Sequence, residues 1–309
     1  MSTLNRRHLL SAALVSPVAA ALGAPMAALA ANPPGSLNRA VQRQSGTHLR
    51  IGLNAYSFNK ALMSGQMTVH DVLDYCAAQA IDGVDLTGYY FPGYPNVPKD
   101  DYLYGVKRHA FLNGVTISGT GVRNDFALTD ASSRRGHIQL VKDWVDAAAK
   151  MGGSMVRVFS GRELPKGYTP DQVLKWMIPA FEECADYGRQ HGVLIGLQHH
   201  DDFLKTADET IRVVRAVNSD WFSVILDVGS LRQGDPYAEI EKLLPFASNW
   251  QIKEHVWYGT RKEEIDLPRL RQIIDRVGYR GFTPIEALGE GDPKQVVTAF
   301  LKKVRQAFA

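Results

Sequence analysis

The sequence predicts an α/β fold, a single-domain (β/α)8 barrel, and three observations carry that expectation. From about residue 49 onward, eight short β-branched or apolar runs alternate with longer amphipathic ones. Gly114, Gly152, Gly192 and Gly278 each stand just before a strand run, where a helix ends in a left-handed residue. The first strand run closes on Asn54-Ala55-Tyr56-Ser57-Phe58 and not on a glycine-rich G-x-G-x-x-G turn, which argues against the doubly wound open sheet, the other fold that alternates strands and helices.

In order, the expected strands are 50–54, 83–87, 115–119, 154–159, 193–198, 222–227, 250–253 and 282–286. Between them lie the helical stretches. In one, Val69, Leu73 and Cys76 fall on a single face; in another, Ile211, Val214 and Val217 do. Helix starts carry suitable caps in Thr68, in Thr169 before Pro170, in Asp208 and in Asp292 before Pro293.

Ahead of the barrel (49–309) the sequence predicts two further segments. Residues 1–30 read as an export signal: Arg6-Arg7 is a twin-arginine pair, residues 12–30 are uncharged and apolar, and Ala28-Leu29-Ala30 resembles a cleavage site. Pro17, Gly23 and Pro25 interrupt a continuous helix there, which argues against a membrane anchor. Residues 31–48, with Pro33-Pro34-Gly35, read as a linker and N-terminal extension. The expected location is periplasmic or secreted, with no stable membrane anchor after cleavage.

Composition narrows the function classes. The 309 residues are 45% hydrophobic and 22% charged, which excludes a disordered chain. The 35 basic side chains, less Arg6 and Arg7, stand against 32 acidic ones, a formal charge of +1 that gives no net pull towards nucleic acid. Cys76 and Cys184 sit in apolar helical runs and read as buried hydrophobes. Homo-oligomerisation stays open.

In such a barrel the chemistry stands at the C-terminal ends of the strands. There the sequence offers Asp85 on the second strand, Arg123 after the third, Gln198-His199-His200 on the fifth, Asp227 on the sixth, Gln251 and Lys253 on one face of the seventh, with Glu254 after them, and Glu286 on the eighth. A carboxylate that ends an apolar run is costly to bury alone. Either carboxylate by itself reads as a salt bridge or a helix cap. Four polar ends on successive strands converge on one patch, for which a hard divalent cation is the simplest partner. Asp85, Arg123, Tyr56 and Trp257 are the expected substrate contacts, the aromatics by stacking.

These motifs, in this order, resemble the xylose-isomerase-like TIM-barrel superfamily, the sugar phosphate isomerase/epimerase group. The resemblance rests on Ile51-Gly52-Leu53 with Tyr56-Ser57-Phe58, Gly83-Val84-Asp85-Leu86, Leu226-Asp227-Val228-Gly229, Ile252-Lys253-Glu254, and Gly281-Phe282 leading to Ile285-Glu286. It implies one divalent metal (Mn2+, Mg2+ or similar) held by residues from the last four strands, here Gln198, Asp227, Gln251 and Glu286. Gln198 and Gln251 replace the Glu and His of the usual set, so the metal is expected to bind weakly.

The implied reaction is removal of a proton α to a sugar carbonyl, of isomerase or epimerase type, on a small sugar or an oxidised glycoside. Glu286 is the expected base, with His200, Lys253 and Glu254 as the other catalytic candidates. Two alternatives accompany it: a lyase or hydratase that acts on 3-keto-glycosides by β-elimination, and a sugar-binding barrel that has lost catalysis. The endonuclease IV group shares the barrel but uses a richer His/Asp/Glu set than this chain offers.

Overall fold

The computed structural model describes residues 40–200 and 202–309. The expected signal segment 1–30 and positions 31–39 of the expected linker lie outside the described residues.

Eight parallel strands close into a barrel: β1 (His48–Asn54), β2 (Gly83–Thr87), β3 (Thr116–Gly121), β4 (Met155–Phe159), β5 (Leu194–Gln198), β6 (Phe222–Asp227), β7 (Ala247–Lys253) and, after an excursion, β10 (Arg280–Glu286). All eight correspond to expected strands. The excursion was not anticipated. It is an antiparallel hairpin, β8 (His255–Tyr258) paired with β9 (Arg261–Glu264), which leaves the barrel directly after Lys253. Its charged second arm, Arg261-Lys262-Glu263-Glu264, lacks the apolar alternation by which a strand is recognised.

The barrel strands are buried on both faces, β2 and β6 completely so, because helices cover the outside and side chains fill the inside. The helix Pro170–His191 illustrates the outer layer, burying Val173, Met177, Phe181 and Cys184 on one stripe. Its Thr169 cap and Pro170 start are as expected, and Thr68 and Asp292 also cap their helices. Asp208 does not. Thr206 caps that helix in a reciprocal box with Glu209, and Asp208 lies inside the first turn, where a carboxylate favours the helix dipole instead. Gly114, Gly152, Gly192 and Gly278 all take positive φ, between +67 and +76°, as a helix-ending residue requires.

The strand ends are placed by register. Phe159 aligns with Gln198, Asp227 with Gln251, and Glu286 with Lys253. The polar ends of β5, β6, β7 and β10 therefore meet at one mouth. At the opposite end the described part of the expected linker is tied down. The Val41 amide donates to Pro245 O at 2.8 Å, and Arg43 donates to the carbonyls of Arg280 and Ala247, where β10 and β7 begin. No helix among the described residues is long and apolar enough to cross a membrane.

Candidate active site

The four expected ligands and Lys253 come together in one buried cluster. Gln198, Asp227, Gln251 and Glu286 expose 4% of their surface or less. The Lys253 ammonium donates to Asp227 Oδ2 at 2.9 Å and lies 3.2 Å from Glu286 Oε1, so it bridges the two carboxylates. The Gln198 amide donates to Asp227 Oδ2 at 2.8 Å and to Gln251 Oε1 at 2.7 Å. The Gly229 amide donates to Asp227 Oδ1 at 3.0 Å.

Local backbone makes room for this arrangement. Gln251 and Lys253 share the inward face of β7 by the two-residue repeat of a strand. A Cβ on Gly229 would come within 2.7 Å of Lys253 Cδ, so glycine at this turn lets the lysine lie across the carboxylates.

Burial and charge act in opposite directions on each group. Burial pushes the Glu286 carboxyl above its ordinary value, against the pull of Lys253. Burial also works to raise the Asp227 carboxyl, but Lys253, His200 and His199 outweigh it and hold the group below its ordinary value. Lys253 loses by burial and regains more from its two carboxylates, so it stays charged. Asp227 is thus the fixed anion, and Glu286 is the more basic of the two carboxylates.

The same geometry tests the expected metal. A divalent cation needs several oxygen lone pairs aimed at one point. Here the carboxylates face an ammonium, one glutamine turns its amide N–H groups inward, and its carbonyl accepts from the other glutamine at 3.3 Å. Among the described residues no three His, Cys, Asp or Glu side chains are grouped to hold a cation. The four residues as they stand do not fit a metal: two of the expected donors are neutral amides spent on hydrogen bonds, and the cation between the carboxylates is Lys253.

The two adjacent histidines divide as alternation requires. His199 is fully buried, accepts from the Asp227 amide at 3.1 Å, and is pushed down to about 4 by desolvation. His200, the expected catalytic one, reaches the mouth, its ring 5.5 Å from that of Phe159. Glu254 accepts from the Leu288 amide at 2.8 Å and so braces the loop after β10.

Around the mouth, Tyr56 and Tyr90 are raised first by burial and also by neighbours that include Tyr89 and Glu286. Tyr89 packs edge-on to Tyr90 at 4.7 Å, and the Arg123 guanidinium lies over Tyr89 at 4.0 Å. Trp257, on the hairpin, lies under Arg232 at 4.4 Å.

Asp85 is further inside. Burial pushes it up to about 6, and Arg157 on β4 is the cation that opposes this. Arg157 itself was not singled out from the sequence. The signal was available, because a charge inside Met155-Val156-Arg157-Val158-Phe159 must face a filled interior. Asp202 was missed too, and here no pattern in the loop sequence marked it; burial pushes it up to about 7.

Cavities open at this end. A small one of about 260 Å3 is lined by Lys253, Glu286, Trp257 and His200. A larger cleft of about 840 Å3 extends over the ends of β3, β4 and β5 from Arg123 and Phe159 to Asp202, and His200 lines it as well.

The family description "Xylose isomerase-like TIM barrel" matches residues 73–304. The chain belongs to that family. Solved structures agree with this barrel in fold. D-psicose 3-epimerase from Clostridium cellulolyticum H10, solved with D-tagatose, superposes with a TM-score of 0.70 at 14% identity, over 84% of this chain and 99% of that one. The probable 3-DHS dehydratase from Bacillus anthracis gives 0.66 at 15% identity, over 83% and 98%. The 3-keto-D-glucoside 4-epimerase from E. coli gives 0.65 at 12%, over 84% and 100%. No curated protein sequence matches the chain. At these identities the xylose isomerase-like barrels share an architecture with this chain, and its chemistry has to be argued from its own residues.

Proposed function

We propose that this protein is a sugar-modifying enzyme of isomerase or epimerase type, which removes a proton from the carbon next to a sugar carbonyl. The observation that carries this reading is the ammonium of Lys253 between Asp227 and Glu286, at 2.9 and 3.2 Å, on the wall of an open cavity. Glu286, made more basic by burial, takes the proton. The electron pair moves to the carbonyl oxygen, and the fixed positive charge of Lys253 lowers the energy of the resulting enolate. Asp227 keeps Lys253 charged and aimed. Proton return from Glu286 to the former carbonyl carbon, with the α-hydroxyl proton passing to the former carbonyl oxygen as the new carbonyl forms, isomerises the sugar; return to the opposite face of the α carbon, with His200 at the mouth as donor, epimerises it. The epimerases of this fold support the reaction class.

A second reading, β-elimination, has Asp202 in its favour. A carboxyl held near 7 can donate a proton to a departing oxygen at neutral pH. The dehydratase of this fold is consistent with that outcome.

Solvent-deuterium exchange into keto-sugars tests the shared first step. General-base catalysis contributes about 10²–10⁴-fold, so Glu286→Gln should slow exchange by roughly that factor while the barrel still folds. Lys253→Met should lose about 10²–10³-fold through the missing charge. Exchange should persist after exhaustive chelation. Exchange that vanishes on chelation and returns with Mn2+ would overturn the role of Lys253, and near wild-type exchange in Glu286→Gln would move the base elsewhere.

A further inference from the structure

The small cavity beside Glu286 and Lys253 measures about 260 Å3, just under the roughly 300–1,000 Å3 typical of small-molecule sites. It matches one sugar ring. The cleft beside it is about three times larger, at about 840 Å3, and the two meet at His200, which lines both. A free monosaccharide at Glu286 would leave the larger compartment unused.

The cleft is built for a neutral, hydroxyl-rich group. Its walls carry two arginines, Arg123 and Arg162, against three carboxyl groups, Asp125, Glu163 and Asp202. That balance disfavours a phosphate or polyanion, which calls for a surplus of positive charge. Planar side chains with paired donors or acceptors suit vicinal hydroxyls. Phe159, half-buried, adds an apolar ring to the lining, with the Arg157 guanidinium over it at 4.1 Å and the His200 ring edge-on at 5.5 Å. Gly161 lets two loops of the wall pack closely: a Cβ there would lie 2.4 Å from Ala127 Cβ and 2.5 Å from Asp125 Oδ1. Asp202 is fixed in this wall by the Ser160 hydroxyl at 3.2 Å and the Leu204 amide at 3.3 Å.

We propose that this cleft holds the group O-linked to the reacting sugar, so that the substrate is a glycoside with a second ring and not a free monosaccharide. The proposal rests on the reading above that the reacting ring sits at Glu286 and Lys253. Given that placement, the linking oxygen passes His200, and Asp202 stands on the side of the linked group.

Calorimetric titration with matched pairs tests it. The probes are glucose, galactose and mannose, unoxidised and as their 3-keto derivatives, each as the free sugar and as both anomeric phenyl glycosides. At least one glycoside should bind about tenfold or more tighter than its own free sugar. Thr129→Trp, at an exposed position on the cleft wall, should narrow the cleft and erase that advantage, and Arg162→Ala should reduce it. Equal affinity for every pair, or an advantage that survives Thr129→Trp, overturns the glycoside assignment and leaves the sugar reading standing. Binding by no member of the panel overturns the sugar reading and this proposal with it.

Discussion

The two ends of the barrel each hold a long cationic side chain, and they treat it differently. At the N-terminal end Arg43 meets neutral acceptors, the carbonyls of Arg280 and Ala247, and its guanidinium lies 4.6 Å from the centre of the Tyr279 ring. Tyr279 in turn donates to Phe282 O at 2.8 Å and packs edge-on to Trp250. This is a plug: its polar groups are used up by backbone, and among the described residues no ion pair holds Arg43. At the C-terminal end Lys253 meets two buried carboxylates beside an open cavity. Two anions and one cation in a poorly hydrated place cost stability unless every group is held. The bottom of the barrel is organised for stability and the top for charge that a substrate can use, as the division of labour in this fold demands.

The interior just below the mouth gives the largest expected effect. Asp85 is fully buried, one of its oxygens has no hydrogen-bond partner, and its carboxyl is raised from 3.8 to about 6. The folded state therefore binds the proton more tightly than the unfolded chain. The stability this contributes is complete below about pH 4 and is lost as pH rises through 6. A displacement of this size corresponds to about 3 kcal/mol. His199, lowered from 6.5 to about 4, has the opposite sign: its contribution is present above 6.5 and is lost as pH falls through 4. The two windows overlap, so the wild-type profile should be shallow there. Asp85→Asn isolates one of them. Measured by urea unfolding, its stability relative to wild type should rise between pH 4 and 7 by up to about 3 kcal/mol. A pH-independent difference would mean that Asp85 is ionised in the folded protein throughout, fully compensated by Arg157.

The plug comes next. Arg43→Ala strands two carbonyls at the strand starts and should cost about 2 kcal/mol, the usual worth of a hydrogen bond from a charged donor at a half-buried site. For a domain of this size that is a Tm lower by roughly 4–8 °C. Catalytic rate should not change, because nothing at this end touches the mouth. A variant that melts like wild type would show the 40–47 segment to be a passive extension, as its sequence suggests.

That segment also marks what the sequence could tell. The eight barrel strands were legible because burial on both faces writes continuous apolar runs, as in Phe222–Asp227, and because glycines punctuate the helix ends. The convergence of Gln198, Asp227, Gln251 and Glu286 was legible because barrel closure brings strand ends together whatever their side chains do. What those side chains do once there was not. Whether a carboxylate pair holds a metal or an ammonium depends on the path of one flexible lysine, and Ile252-Lys253-Glu254 reads the same in both cases. The partition of His199 from His200 followed from alternation, but which of them faced inward did not. Arg43 in a polar, proline-flanked stretch carried no sign that it would reach across two strand starts.

The smallest expected effect bears most directly on the contrast between the ends, because it asks whether the position of Lys253 matters apart from its charge. Gly229 follows the end of β6, and a methyl group there would come within 2.7 Å of Lys253 Cδ. The obstacle is a flexible side chain, not backbone, so Gly229→Ala should displace the lysine and leave the barrel intact. The ammonium would then no longer span Asp227 and Glu286, and the charge that the proposed mechanism sets opposite the forming enolate would be misplaced by a fraction of an ångström to roughly an ångström. A misplacement of this order costs up to 10²-fold when orientation is critical, and about tenfold is expected for a side chain that can partly readjust. The loss should fall on kcat with KM little changed, because in the proposed mechanism the displaced charge acts on the enolate and not on the ground-state sugar. Gly105→Ala, in the surface helix Asp100–Leu112 with open space at its Cβ, is the matched control, and it should keep full activity with slightly higher stability. If Gly229→Ala retains wild-type kcat while Lys253→Met does not, then any positive charge near the mouth suffices, and the bridge between the two carboxylates is a packing feature, like the plug at the other end.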